Sequence, residues 1–87
     1  MKTARLIKKI DGWAGDARLY ELSEPLERHS LIVVSAAYAM FSGPETYIFA
    51  ASNIDGEVKD FRELEGSQRG MISHEKALAT AGYTVRK

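Results

Sequence analysis

No cysteine occurs among the 87 residues, which removes disulfides, thiolate metal ligands and cysteine nucleophiles together. Histidine is nearly as scarce, with only His29 and His74, and Trp13 is the single tryptophan. Long apolar runs are missing too. The longest, Leu31 to Phe41, is interrupted by Ser35 and falls short of the roughly 20 residues a membrane-spanning helix needs. In the opening MKTARLIKKI, charges are spaced through the stretch that a secretory signal would keep apolar. Neither sign of charge is in excess, since twelve basic residues balance twelve acidic ones, so no overall field draws the chain to nucleic acid or to an anionic membrane. The expectation is a cytoplasmic protein with no membrane association.

What is present is a 45% hydrophobic composition without a break, a repeat or a low-complexity tract. This reads as a single domain over residues 1–87 with room for one core. Charge is slightly uneven along it. Lys2, Arg5, Lys8 and Lys9 make the first segment basic, while Glu45, Asp55, Glu57, Asp60, Glu63 and Glu65 make the middle acidic. Such charges usually mark the solvated face of an element.

Thr3 to Ile10 alternates Ala4, Leu6 and Ile10 against Arg5 and Lys9, the period of a half-buried strand, and Lys8 on the apolar side suits a sheet edge. The turn residues of Asp11-Gly12-Trp13-Ala14-Gly15-Asp16 predict a hairpin loop. Ala17 to Leu22 is the return strand, which Pro25 should end because proline cannot donate to a ladder. After a polar connection at Glu27 to Ser30, LIVVSAAYAM carries apolar residues on both faces, as a central strand covered on two sides would. Gly43-Pro44 breaks that run, and ETYIFAA, Glu45 to Ala51, follows with residues suited to a pleated surface. Asn53-Ile54-Asp55-Gly56 is the next turn. Val58 to Leu64 fits either one helical turn or a short strand, with Phe61 and Leu64 three apart.

SHEKAL, Ser73 to Leu78, has the outline of a zinc-protease helix but places Leu78 where the second histidine must stand four residues on. A capped helix explains more of its residues. Ser73 is a preferred N-cap, Glu75 suits the positive end of the dipole, and Gly82 fits the left-handed position that ends a helix. That ending sets Leu78 against Tyr83. Ala77, Leu78 and Ala81 form the buried stripe, and His74 is expected to be exposed in the first turn. Tyr83 to Val85 is a candidate last strand. The fold expected is therefore α+β, a small antiparallel sheet of about four to five meandering strands with one short C-terminal helix packed on it.

Other chemistries lack their parts. Phe41-Ser42-Gly43 is not a nucleophile elbow, and Gly66-Ser67-Gln68-Arg69-Gly70 has no phosphate-loop Lys-Ser/Thr pair. Asp11 and Asp16 flank a loop without the alternating oxygen ligands of a calcium loop. Tyr20 beside Arg18, and Tyr47 beside Phe49, fit the core better than an RNA platform in a neutral chain. No catalytic residue, cofactor or metal ligand is assigned, and an enzyme is not expected.

Gly15-Asp16-Ala17-Arg18-Leu19-Tyr20, Leu22-Ser23-Glu24-Pro25-Leu26, Ser42-Gly43-Pro44-Glu45-Thr46-Tyr47-Ile48-Phe49, Asp55-Gly56, and His74-Glu75 with Ala77-Leu78 and Ala81-Gly82-Tyr83 together resemble a set of short proteins of actinobacterial phages. The resemblance spans nearly the whole chain. Where those proteins have a proline after the Tyr-Ile-Phe step, this chain has Ala50. The resemblance implies a phage product acting in the host cytoplasm and assigns no activity. The resulting expectation is a non-enzymatic accessory protein that binds a host or phage protein and modulates host growth or defence.

The partner-binding residues expected are Gly12, Trp13 and Gly15 in the first loop and Ser42, Gly43 and Pro44 in the later one. Trp13 is a large ring in a glycine-flanked turn, either a lid folded on the core or an anchor for a partner. The alternative function is a nucleic-acid or anion-binding module using Lys2, Arg5, Lys8 and Lys9. A flat sheet edge also allows a homodimer.

Overall fold

Ile32, Val33 and Val34 are consecutive and all fully buried, so the strand that holds them has protein on both of its faces. In the computed structural model, which describes residues 2–13, 15–39, 43–58, 62–70 and 72–86, that strand is β3 (His29–Ala39). It lies within a meander of β1 (Thr3–Ile10), β2 (Asp16–Leu26), β3 and β4 (Gly43–Ala50). β5 (Gln68–Arg69) pairs with β4, α1 (His74–Thr80) follows, and β6 (Thr84–Arg86) pairs with β1. The order across the sheet is β5-β4-β3-β2-β1-β6.

The α+β class holds, with two corrections to the sheet. Among the described residues it has six strands where four to five were expected, and it is mixed, because β6 runs parallel to β1 with Thr3 opposite Thr84 and Arg5 opposite Arg86. β5 is two residues long and carries no periodicity. The direction of β6 is set by α1, which returns the chain to the end where β1 begins. The edge reading of Lys8 applies to half of β1: β6 covers Thr3 to Arg5, and a bulge between Leu6 and Lys8 precedes the uncovered part.

β2 continues through Pro25 to Leu26, past the expected end at Leu22. Its register with β3 breaks between Glu21 and Leu26, which is where a residue without an N–H can be accommodated. Glu27 and Arg28 then make the tight turn, both at positive φ (48° and 76°), a conformation that non-glycine residues seldom adopt. The Glu27 carboxylate is held there by Arg62 at 3.0 Å and by the backbone N–H of Glu65 at 2.8 Å. Those hydrogen bonds keep its carboxyl below the usual carboxylate range. Gly43 and Pro44 open β4, paired with Ala39 and Tyr38. With Ala50 paired to Ile32, β4 stays in register to its end, and Ala51 bridges on to Val58. Phe61, one of the two residues on which the reading of Val58 to Leu64 rested, lies outside the described residues; Leu64 is buried under α1's face of the sheet.

Two apolar clusters stand where one core was expected, because strand alternation sends buried residues to both sides of the sheet. The first face gathers Ala4, Tyr20, Leu22, Ile32, Val34, Ile48 and Ala50 under Ala77, Leu78 and Ala81 of α1. The second gathers Ala17, Leu19, Val33 and Ala51, with Ile7, Ile10, Trp13, Leu31 and Val58 packed against them. α1 forms as its sequence indicates. The Ser73 hydroxyl accepts from Lys76 N, and Gly82, at φ 98°, lets Tyr83 N reach Leu78 O at 2.8 Å and its own N–H reach Ala79 O at 3.0 Å. Among the described residues no helix is long and apolar enough to cross a membrane.

Candidate functional site

The meander brings both proposed partner loops to one end of the sheet. The β1–β2 loop starts beyond the Ile10 to Ala17 pair, and the β3–β4 turn lies beyond the Ala39 to Gly43 pair. Asp16 opposite Ala36 sets them side by side. Gly15 makes the contact: a Cβ there would stand 2.2 Å from Ala36 O and 2.5 Å from the Ala37 Cβ, so only glycine lets the loop lie this close to β3. Ser42 lies outside the described residues.

Trp13 is half-buried and lies on the second face, its ring centroid 6.0 Å from that of Phe49 at a tilt of 34°. Tyr47 follows at 5.9 Å from Phe49, with the Arg69 guanidinium 5.8 Å from the Tyr47 centroid. The Trp13 ring therefore packs against Phe49 and the second cluster. Gly12, beside it at φ 89°, has open space around its Cα.

Tyr38 is the residue at this end that sequence reading missed. It is 79% exposed, the most exposed of the large apolar side chains among the described residues, and stands opposite Pro44. It shares the side of β3 with Val34 and Ala36, the side that α1 covers further down the strand. Ile72, at 39% exposure, precedes α1, whose N-cap Ser73 donates its backbone N–H to the Thr46 hydroxyl. Read as part of a buried strand, Tyr38 offered no sign that the hairpin outruns the helix above it.

Beneath Tyr38 lies a polar cluster on β2. Arg18 donates two hydrogen bonds to Asp16, at 2.7 and 3.2 Å, and the guanidinium holds the Asp16 carboxyl below the usual carboxylate range. His74 is buried at 7% exposure, contrary to the expected exposed position, and its Nε2 lies 2.8 Å from the Asp16 carbonyl oxygen. The ring turns inward because α1 begins directly over β2. Burial pushes its pKa below the ordinary 6.5, and it pushes the Tyr20 phenol up. The imidazole thus ties the first residue of α1 to the backbone of β2. On the other face, buried Glu45 faces Arg69 at 3.9 Å, which also reaches Glu63 at 3.5 Å. Among the described residues no group of three or more His, Cys, Asp or Glu could hold a metal ion.

The four cations of the alternative function do not make a stripe. Arg5 pairs with Glu21 at 2.5 Å, Lys8 with Asp55 at 3.8 Å and Lys9 with Asp16 at 4.0 Å, while the Lys2 ammonium lies 4.9 Å over the Tyr83 ring. Comparison with protein-family models, curated proteins and solved structures finds no match to this chain.

Proposed function

We propose that the chain is a non-enzymatic phage accessory protein that binds a host or phage protein through the sheet end carrying Gly12, Trp13, Gly15, Gly43 and Pro44. The observation that carries this reading is Tyr38, whose ring stands 79% exposed beside those loops. An aromatic ring left in water on a paired strand offers a partner large contact area at low entropic cost. Trp13 serves as the fixed rim and Tyr38 as the anchor. The paired state of Lys2, Arg5, Lys8 and Lys9 favours no second reading based on phosphate contacts. The setting proposed is the bacterial cytoplasm, with modulation of host growth or defence as the outcome.

The test is a tagged capture from actinobacterial lysate, with and without the phage's other proteins, using wild type, Tyr38→Ser and Leu6→Ser, all first shown to be folded by circular dichroism. Leu6 is a 39% exposed residue on β1, away from the hairpin end, and serves as the control. A protein retained by wild type and Leu6→Ser but lost with Tyr38→Ser is the expected result. Capture unaffected by Tyr38→Ser would move the surface elsewhere.

A further inference from the structure

We infer that His74 is a proton-operated latch that holds α1 on the sheet while neutral and releases it when charged. The helix has seven residues, too short to persist alone in water, so its existence depends on docking. Gln68 of β5 donates to the Thr80 hydroxyl in the last turn, and further polar anchors lie at the start of the helix. Ala77, Leu78 and Ala81 are buried against the first face, Ser73 N donates to Thr46, and His74 Nε2 donates to the Asp16 carbonyl oxygen at 2.8 Å. His74 is the first residue of the helix and the only one of these anchors that can change charge near neutral pH.

The groups around it make the charged form unwelcome. From β2, Arg18 adds a second positive charge, and Tyr20 beside it is a buried neutral phenol. Asp16 supplies the opposing carboxylate, but both of its oxygens are already engaged by Arg18, and Lys9 of β1 approaches from 4.0 Å. β3 contributes Ala36 and the Val34 backbone, whose hydrogen bond, like that of the Asp16 carbonyl, favours the charged ring but is outweighed by burial, and β4 contributes Thr46; none of the three titrates. On α1 itself, Glu75 is adjacent and exposed. An imidazolium formed here would be buried beside a guanidinium with its one carboxylate committed.

The direction follows by linkage. Between its depressed value in the fold and the ordinary 6.5, His74 is neutral when docked and protonated when released, so the released form binds more protons. The contribution of neutral His74 to docking is fully present above pH 6.5 and is lost as pH falls through its lowered value in the fold. Asp16 does not interfere in this window, because its carboxyl is held below 3.8 and stays ionised. Release uncovers Tyr20, Val34 and Ile48 while the strand ladder remains, as a local opening of α1.

Amide hydrogen exchange and imidazole NMR between pH 7.5 and 5 test this on the whole chain. The expected result is a His74 titration midpoint below 6.5, with protection of the Ala77 and Ala81 amides lost as pH falls and protection of β2 and β3 retained. His74→Gln keeps a donor for Asp16 O but cannot charge, so its helix protection should not change with pH. If that variant does not fold, the wild-type titration and exchange still decide. A midpoint at or above 6.5, helix protection constant to pH 5, simultaneous loss across helix and strands, or the same pH step in a folded His74→Gln would each overturn the latch.

Discussion

Both faces of the sheet are apolar, yet one is closed by a helix and the other by a tryptophan and a turn. On the first face, α1 lays Ala77, Leu78 and Ala81 over a continuous stripe from four strands. On the second, Trp13 covers Phe49 at one end, and the segment after β4 closes the other. In that segment Asn53 Oδ1 accepts from the Asp55 and Glu57 N–H groups, and Gly56 lies against Ile10, where an added Cβ would meet the side chain at 2.5 Å. A regular element buries several side chains at once through its period, whereas an irregular cover buries them one by one. The first face should therefore carry more of the stability, and the second should yield more readily.

The largest expected effect tests the first half of that statement. Leu78→Ala removes a fully buried side chain from under α1 and should cost about 2–5 kcal/mol, the range for such truncations in packed cores. Denaturant unfolding with an unchanged slope would measure it. A loss under about 1 kcal/mol would mean that the helix is an ornament on a sheet held from its other face.

Trp13→Ala sets the corresponding value for the second face. A fully buried aromatic costs about 3–5 kcal/mol on truncation, and a half-buried ring should cost about 2 kcal/mol. The same variant should expose Phe49 and Tyr47, which an apolar fluorescent dye would report. If Trp13→Ala proved costlier than Leu78→Ala, the ranking of the two faces would be reversed.

The two faces also differ in how far they could be read from the residues. Ser73, Leu78, Gly82 and Tyr83 announce the helix, its end and its buried side, because each acts within a few positions of the others. The alternation of β1, β2 and β4 and the two-sided run of β3 were legible for the same reason. The second cluster was not: Trp13, Ile10 and Val58 meet only through the curl of the sheet, and nothing local links them. β5 is too short to carry a period, and the parallel partner of β6 is 81 residues away in register. His74 read as exposed because a first-turn polar residue usually is, and the nearby Asp16 carbonyl that claims it lies on another strand. Of the candidate site, the two loops were visible as glycine-containing turns, while Tyr38 was concealed within a run whose Ile32, Val33 and Val34 are fully buried.

The smallest effect sharpens the comparison at the seam of the second face. Lys8 and Asp55 join β1 to the covering turn at 3.8 Å, with side chains 44% and 80% exposed. A pair so exposed gains little Coulomb energy in high dielectric and orders two mobile groups, so Asp55→Asn should cost under about 0.5 kcal/mol. Salt at about 1 M, where the screening length is about 3 Å, should erase the difference between variant and wild type. A cost above about 1 kcal/mol that survived salt would show that the Asn53 to Glu57 turn depends on Asp55 for its conformation. The cover would then be a polar staple whose removal frees Ile10 and Val58, and the second face would owe its closure to hydrogen bonding more than to Trp13.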